Sequence, residues 1–558
     1  MFIGIDVGGT FTDAVLLDRG MVKATAKVVT RQDLLSSLLE ALDSILQGVS
    51  PDLIERVVFS TTVITNLIAE KKYDPVGLII IPGPGLSHAH YRFATQTHII
   101  NGAIDYRGRE IIPLDLKQVE QAVEELEAAG YNKVAVVGKF SSRNNKHEKE
   151  IEKYIKLLHP QWQVELGHTV AGQLNFPRRV VSTMLTCATR EKYEFFVRSV
   201  FQALEQRGLQ AEIYILRADG GTMRLKNSTK APIETIFSGP AASTLGVQAL
   251  LPPGETAVVV DIGGTTSDLA LLLSGQPLLA TRGVCIYNQL THVRALAVKS
   301  VPVGGDTTLS RQQNRIVLLP GRQGPPFCLD GPAPTPTDAL RVLGLFHKGD
   351  YDKARQAMHM LGAELNLSCT ETAVRVVDLV VDTIVQEINE MFKSWEQEPS
   401  YRVWEVLQKK KVRPTTVVGV GGGAAGLITQ IAARMNCQPV LPPYASVANA
   451  IGAAVARPTL RVSLRADTQQ GVYTIQEEGF QGKIEDGNFN EEKAIALART
   501  WLQRRAENAG LTSSLGEVEI IRREVFNVVR NWVTCGKIFD IGVQTQRGIL
   551  HYIGGGGR

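Results

Sequence analysis

The sequence predicts a duplicated α/β fold with a smaller α+β unit at its C-terminal end, on three observations. The segment Ile3 to Leu17 recurs as Val258 to Leu272, shifted by 255 residues. Each copy lies between apolar, strand-like runs, Phe2 to Ile5 and Ala14 to Leu17 in the first, Ala257 to Val260 and Leu269 to Leu273 in the second. From Pro458 onward the pattern changes to short strands and one amphipathic helix. A chain of 558 residues exceeds what one core supports. The expected division is a first lobe over 1–175, a second over 176–457 and an accessory α+β domain over 458–558.

The repeat carries the chemistry. Asp6-Val7-Gly8-Gly9-Thr10-Phe11-Thr12-Asp13 aligns with Asp261-Ile262-Gly263-Gly264-Thr265-Thr266-Ser267-Asp268. Each copy reads as a hairpin turning at Gly-Gly-Thr. Paired glycines let backbone N–H groups approach phosphate oxygens, and Thr10, Thr12, Thr265, Thr266 and Ser267 can add hydroxyl donors. Asp6 and Asp261 end the incoming strands, where a carboxylate can hold a hydrated magnesium ion or orient a nucleophile. Asp13 and Asp268 follow on the outgoing strands as further catalytic candidates. One such segment is equally well read as a plain turn. Two copies alike at seven of eight positions favour a paired phosphate site.

The remaining elements follow in order. Asp33 caps a helix whose apolar residues Leu34, Leu35, Leu38, Leu39, Leu42, Ile45 and Leu46 keep the helical period, and Gly48 stops it. Asp115 caps a second helix that runs to Gly130 and leads into a strand at Val134 to Val137. Ile213 to Leu216 reads as a strand ending at Asp219-Gly220-Gly221, and Ser238 opens a small-residue helix with Pro240 in its first turn. Gly304-Gly305-Asp306 forms a glycine turn that could face a terminal phosphate. Pro320 to Pro336 reads as an irregular loop, and Glu371 to Phe392 as a long helix with a buried β-branched stripe. Strand Thr416 to Val420 enters Gly421-Gly422-Gly423, where a nucleotide's sugar or base can lie against bare backbone, and a helix follows at Leu427 to Met435. Ala445 to Ala456 is a second small-residue helix. In the last unit, a helix is expected near Glu491 to Ala509 and strands near Val518 to Val529 and Ile549 to Ile553.

Composition excludes several classes. With 44% hydrophobic and 21% charged residues the chain is an ordinary globular protein, and a formal charge of +4 with no basic stripe argues against nucleic acid. No apolar run reaches membrane-spanning length and no secretion signal precedes Ile3, so a cytoplasmic location is expected. The six cysteines are far apart and read as buried thiols.

The order of parts resembles the actin, sugar-kinase and heat-shock chaperone superfamily. Within it, IGIDVGGTFTDAVLLD, Ser60 to Asn66, Arg107 to Asp115, ADGGTM, ETIFSGPAA, VDIGGTTSD, PTPTDALRVLG and the Gly421 turn look like the A-type subunits of the hydantoinase/oxoprolinase group, which has relatives among acetone and acetophenone carboxylases. The resemblance implies duplicated actin-like, ribonuclease H-like ATPase lobes, with ATP and magnesium as cofactors. It also implies a small-molecule substrate and a B-type subunit as partners, with a homo-oligomer left open and no membrane. The sequence departs from the family at Ser60, which stands where histidine is usual, at Lys299 and at Ile428, where polar residues are usual.

Two functions of different class stay open. The first is ATP-driven phosphorylation of an amide or carboxyl oxygen of a small substrate, for hydrolysis or carboxylation. The second is an ATP-driven conformational switch acting on a partner enzyme. His88 and His90 are a further candidate pair after the turn Pro82 to Gly85. Asp219, Lys299 and Arg294 are polar residues that could reach the cleft or simply be solvated.

Overall fold

The computed structural model describes residues 1–85, 93–94, 96–280, 282–397, 412–511 and 517–554, so His88 and His90 lie outside the described residues. The first sheet is six-stranded and forms around Phe2–Val7, whose Ile3, Ile5 and Val7 are buried. Phe11–Asp18 returns antiparallel with Asp6 opposite Asp13, and Met21–Val29 extends the meander. On the other side Arg56–Thr61 runs parallel, with Asp6 opposite Ser60, followed by Glu212–Leu216 parallel and Thr222–Arg224 antiparallel at the edge. The helix Leu34–Ile45 covers this sheet with Leu38, Ala41, Leu42 and Ile45, its first turn held by the Asp33 carboxylate accepting from the Leu35 N–H at 3.2 Å.

A four-stranded parallel sheet built from Gly77–Ile81, Thr97–Ile99, Lys133–Gly138 and Gln163–Leu166 is inserted before the chain returns to the first sheet. The long helix Phe176–Gln206 packs against both sheets: Val180 and Cys187 belong to the insert's core, Val181, Leu185 and Tyr193 to the first. The expected division at 175/176 falls inside this arrangement. It cuts between the insert and a helix and strand that complete the first sheet, because parallel strands pair across long crossovers.

The second large sheet repeats the register of the first. Ala257–Ile262 pairs antiparallel with Ser267–Leu273, Asp261 opposite Asp268, and Thr416–Val420 runs parallel on the other flank. Val298–Val301 and Gln276–Pro277 pair with the outgoing strand, and Gln438–Val440 closes the far edge. The helices Cys369–Glu396 and Ala424–Met435 bury their apolar stripes on this sheet.

Two small-residue helices, Ser238–Leu250 and Ala448–Val455, cross between the sheets at backbone contact. A Cβ on Gly452 would lie 1.9 Å from the Ala242 carbonyl oxygen, and one on Gly246 2.0 Å from that of Ala448. On the opposite side, a Cβ on Gly4 would lie 2.0 Å from the Ala450 oxygen. Glycine at these three positions is what lets strand and helices meet with no side chain between them.

The C-terminal unit is a five-stranded antiparallel sheet under the helix Glu491–Ala509. Its longest strands, Val518–Arg530 and Val533–Thr545, form a hairpin turning at Asn531 and Trp532, with Trp532 fully exposed. Ile549 makes only an isolated bridge to Ala456, so the strand expected at Ile549 to Ile553 is absent. The second hairpin strand at Val533–Thr545 takes its place in the sheet.

Candidate active site

Both Gly-Gly-Thr hairpins close with the same bond. The Gly8 N–H donates to the Phe11 carbonyl at 3.0 Å, and the Gly263 N–H donates to the Thr266 carbonyl at 3.0 Å. That leaves the N–H groups of Gly9 and Thr10, and of Gly264 and Thr265, without a protein acceptor among the described residues. Gly9, Thr10 and Thr265 are exposed, so these turns offer free donors to an anion.

The carboxylates behind the turns are joined by a short polar chain. Ser60 Oγ donates to Asp6 Oδ1 at 2.5 Å, and Asn449 Nδ2 donates to Asp6 Oδ2 at 3.2 Å. Asn449 Oδ1 lies 2.8 Å from Ser243 Oγ, which donates to Asp261 Oδ2 at 2.5 Å. Asp6 and Asp261 are thus linked through one amide and one hydroxyl, both carried by the crossing helices. Burial pushes both carboxyls above the ordinary carboxylate range, and Asp6 raises Asp261 further. A divalent cation between them would favour the ionised forms. Two carboxylates leave most of an octahedral shell to water and phosphate oxygens, which suits magnesium. Among the described residues no group of three or more His, Cys, Asp or Glu side chains is arranged to hold a metal.

Several expected site residues have other occupations. Thr12 is buried and its hydroxyl bonds Thr30 at 2.9 Å, because strand alternation turns it inward; its counterpart Ser267 donates to the Val303 carbonyl. Neither hydroxyl reaches the turn. Thr266 makes no side-chain hydrogen bond among the described residues. Asp13 is ion-paired with Lys27 at 2.6 Å, and burial, its largest cause, still brings it up to about 6. Asp268 has no such cation among the described residues, and burial followed by the Asp261 charge pushes it up to about 7.

The Gly304 turn is a brace. The Gly305 N–H donates to the Gly263 carbonyl at 2.9 Å and the Asp306 N–H to that of Gly264 at 2.7 Å, while Asp306 pairs with Arg322 at 3.1 Å. These N–H groups are occupied, so the turn shapes the second cradle instead of lining it. The Gly421 turn approaches more closely: at Gly421, where φ is +83°, a Cβ would lie 2.4 Å from Asp261 Oδ1. Gly423 N–H donates to the Ile262 carbonyl at 2.9 Å, and Gly422 is exposed with open space where a Cβ would stand. Lys299 pairs with Glu387, away from the turns, and Ile428 is buried.

Asn449, Ser243 and Lys27 were not singled out from the sequence. Asn449 is the one polar residue of the helix Ala448–Val455, which is the signal that could have found it, whereas Ser243 shares its helix with Ser238, Thr244 and Gln248 and carries no such signal.

Fold and site together define an α/β protein with two matching hairpins, each with free N–H groups, beside a linked pair of carboxylates. The chain belongs to the hydantoinase/oxoprolinase family: the family model Hydantoinase/oxoprolinase matches residues 179–462, and its N-terminal region matches residues 2–158. The acetophenone carboxylase gamma subunit of Aromatoleum aromaticum is 25% identical over 409 residues, covering 65% of this chain and 56% of that protein. Caprolactamase subunit alpha of Pseudomonas jessenii is 24% identical over 486 residues, covering 79% of this chain and 68% of its own length. The nucleotide-free structure of acetone carboxylase superposes with a TM-score of 0.75 at 17% identity, covering 99% of this chain and 88% of that one. This chain thus spans little more than half of the acetophenone carboxylase subunit.

Proposed function

We propose that the two large sheets are duplicated actin-like lobes that bind magnesium ATP, and that the chain is the ATP-using subunit of an amide hydrolase or carboxylase. The observation that carries this reading is the linked pair Asp6 and Asp261 between two turns whose N–H groups are free. Gly9, Thr10, Gly264 and Thr265 would hold phosphate oxygens, and Asp6 and Asp261 would hold the magnesium ion through its waters. Magnesium shields phosphate charge when bound. The γ-phosphoryl group would move to an amide or carboxyl oxygen of a small substrate, ADP would leave, and a nucleophile would then displace phosphate. Such catalysis is chiefly positioning and electrostatics. Acetophenone carboxylase and caprolactamase, by their names, act on a ketone and on a cyclic amide, and both relatives are subunits of larger enzymes. A B-type subunit in the cytoplasm is the partner this suggests.

A second reading, an ATP-driven switch on a partner enzyme, is favoured by one set of observations. The Ser60 hydroxyl is taken up by Asp6, Lys299 pairs with Glu387 and Ile428 is buried, so none of these three positions offers an unoccupied polar group to a substrate. The test is ATP turnover by the purified chain with magnesium, alone and with a panel of lactams, hydantoins and ketones plus bicarbonate. Turnover that rises with one of these compounds supports the enzyme, and turnover indifferent to all but raised by a partner protein supports the switch. Absence of nucleotide binding would overturn both.

A further inference from the structure

Arg294 stands out among the polar groups that the nucleotide site leaves unused. It is an exposed residue between the buried Val293 and Ala295, in a segment without strand structure. It has solvent access and makes neither a hydrogen bond nor an ion pair among the described residues. The segment that carries it is fastened to the turn after Glu212–Leu216, the Leu296 N–H donating to the Ala218 carbonyl at 2.8 Å. That turn meets the C-terminal unit: Thr222 N–H donates to the Arg457 carbonyl at 2.9 Å, and Arg457 N–H to the Gly548 carbonyl at 3.0 Å, which brings the Arg547 backbone to the same junction, where Arg294 feels the Arg547 charge.

The charges there are unbalanced. Arg217 engages Asp219 at 3.3 Å and Glu234 at 3.6 Å, and Arg461 faces Glu477 at 3.8 Å. Those three carboxylates are therefore already matched. Arg294 and Arg547 have no acidic partner among the described residues. Although the residue is exposed, the part of Arg294 that faces the protein brings it down to about 10, by burial first, then by the like charges of Arg461, Arg547 and Arg217 against the opposing Asp219.

Strand register puts this junction beside the carboxylates. Asp6 lies opposite Ser60, and Phe59 opposite Ile215, on three parallel strands that end on the same side. Adjacent strands are about 4.8 Å apart, so Leu216 emerges about 10 Å from Asp6 across the sheet edge. Crevices at the carboxyl ends of parallel strands are where small ligands bind in α/β folds.

We propose that Arg294 and Arg547 form the open end of a binding site for a small anion, a carboxylate or a phosphate, between the Arg217 turn and the C-terminal unit. A guanidinium presents paired N–H donors that fit either anion, and a bound anion supplies the missing counter-charge. Two sources share this chemistry, the carboxylate of a substrate and the inorganic phosphate released from a nucleotide. Only the second rests on the functional reading above.

The test is calorimetric titration of the full chain with succinate and, separately, with inorganic phosphate, in the presence of magnesium and a non-hydrolysable ATP analogue that keeps phosphate out of the hairpins. Wild type is expected to bind at least one probe. Arg294→Gln and Arg547→Gln should each weaken that binding about tenfold to a hundredfold, the effect of a lost charge-assisted hydrogen bond. Arg294→Lys should retain part of it. Because the like charges of Arg461, Arg547 and Arg217 around Arg294 outnumber the one opposing charge of Asp219, Arg294→Gln should melt at the wild-type temperature or above it without anion. Binding of phosphate alone identifies the released product as occupant, and binding of succinate alone a substrate carboxylate. Unchanged affinity in both glutamine variants, or no binding of either probe to wild type, overturns the site. If the analogue itself fails to bind, the nucleotide reading falls while the Arg294 comparison still decides this one.

Discussion

Lys27 lies directly across the strand pair from Asp13 and holds it in an ion pair of 2.6 Å, whereas the equivalent carboxylate of the second hairpin, Asp268, faces Ser300. The next residue, Lys299, falls on the other face of its strand because side chains alternate. One residue of register thus separates a neutralised carboxylate from one pushed up to about 7. Lys27→Met should lower stability by about 1–3 kcal/mol, since Asp13 loses its charged donor while buried. Adding Asp13→Asn should restore most of it. Thermal melts of the single and double variants decide the matter, and a double variant as unstable as the single one would show that Lys27 contributes by packing instead.

Asp261 should matter more to turnover than Asp6. The Gly421 turn closes on Asp261, with open Gly422 beside it, so more of the ligand-facing backbone converges there. Asp261→Asn is expected to cut ATP turnover about a hundredfold to ten-thousandfold with nucleotide affinity kept. Asp6→Asn should mainly raise the magnesium requirement. The opposite ranking would reverse the assignment, and full turnover in both would remove the carboxylates from the chemistry.

Gly9→Val is a cleaner probe of the phosphate cradle than Gly264→Val. A Cβ on Gly264 would meet Asp306 Oδ2 at 2.6 Å and disturb the bracing turn, while one on Gly9 meets only Asn66 Nδ2 at 3.3 Å. Gly9→Val should fold normally and lose the rise in melting temperature that magnesium ATP gives by ligand linkage. A retained rise would exclude the first hairpin from nucleotide binding.

Gly452→Ala should be severely destabilising, because its methyl would occupy the position of the Ala242 carbonyl and force the crossing helices apart. Overpacking of this kind costs about 1–3 kcal/mol or more. Loss of soluble protein or a clearly lowered denaturant midpoint is the expected readout, and an unchanged midpoint would mean that the helices cross further apart.

His292 supplies a pH dependence. Burial, offset by its bond to the Asn175 carbonyl and reinforced by Arg179, Arg178 and Arg461, brings it from 6.5 down to about 4. The folded chain keeps this imidazole neutral while the unfolded chain protonates it. Its contribution to stability is therefore full above pH about 6.5 and is lost as pH falls towards 4. The gap in stability between wild type and His292→Gln should narrow or change sign over that range, and a gap independent of pH would show that the histidine does not titrate.

The hairpins and their shared register were legible in the sequence because a turn of adjacent glycines between apolar runs is a local pattern, and it occurs twice. Helix starts at Asp33 and Asp115 were legible for the same reason, each cap being set by the residues just after it. What joins distant segments was not. Asn449 reaches Asp6 across 443 residues, and no local signal announces that bond. The strand Glu212–Leu216 returns to the first sheet after the whole inserted sheet has been built, so the lobe boundary could not be placed from neighbouring residues. Thr12 was misread because the repeat suggested a hydroxyl at the turn, while strand alternation had already turned it into the core.

The amide of Asn449 breaks the symmetry that duplication imposes. It has a donor end and an acceptor end, with Nδ2 turned to Asp6 and Oδ1 towards the Ser243 hydroxyl beside Asp261. The two halves of the site therefore cannot be interchanged, and a ligand lying between them meets an environment with a fixed polarity. Asn449 thus adds a direction to a frame whose halves already differ at Lys27 and Ser300, and Asn449→Asp would take its donor end away.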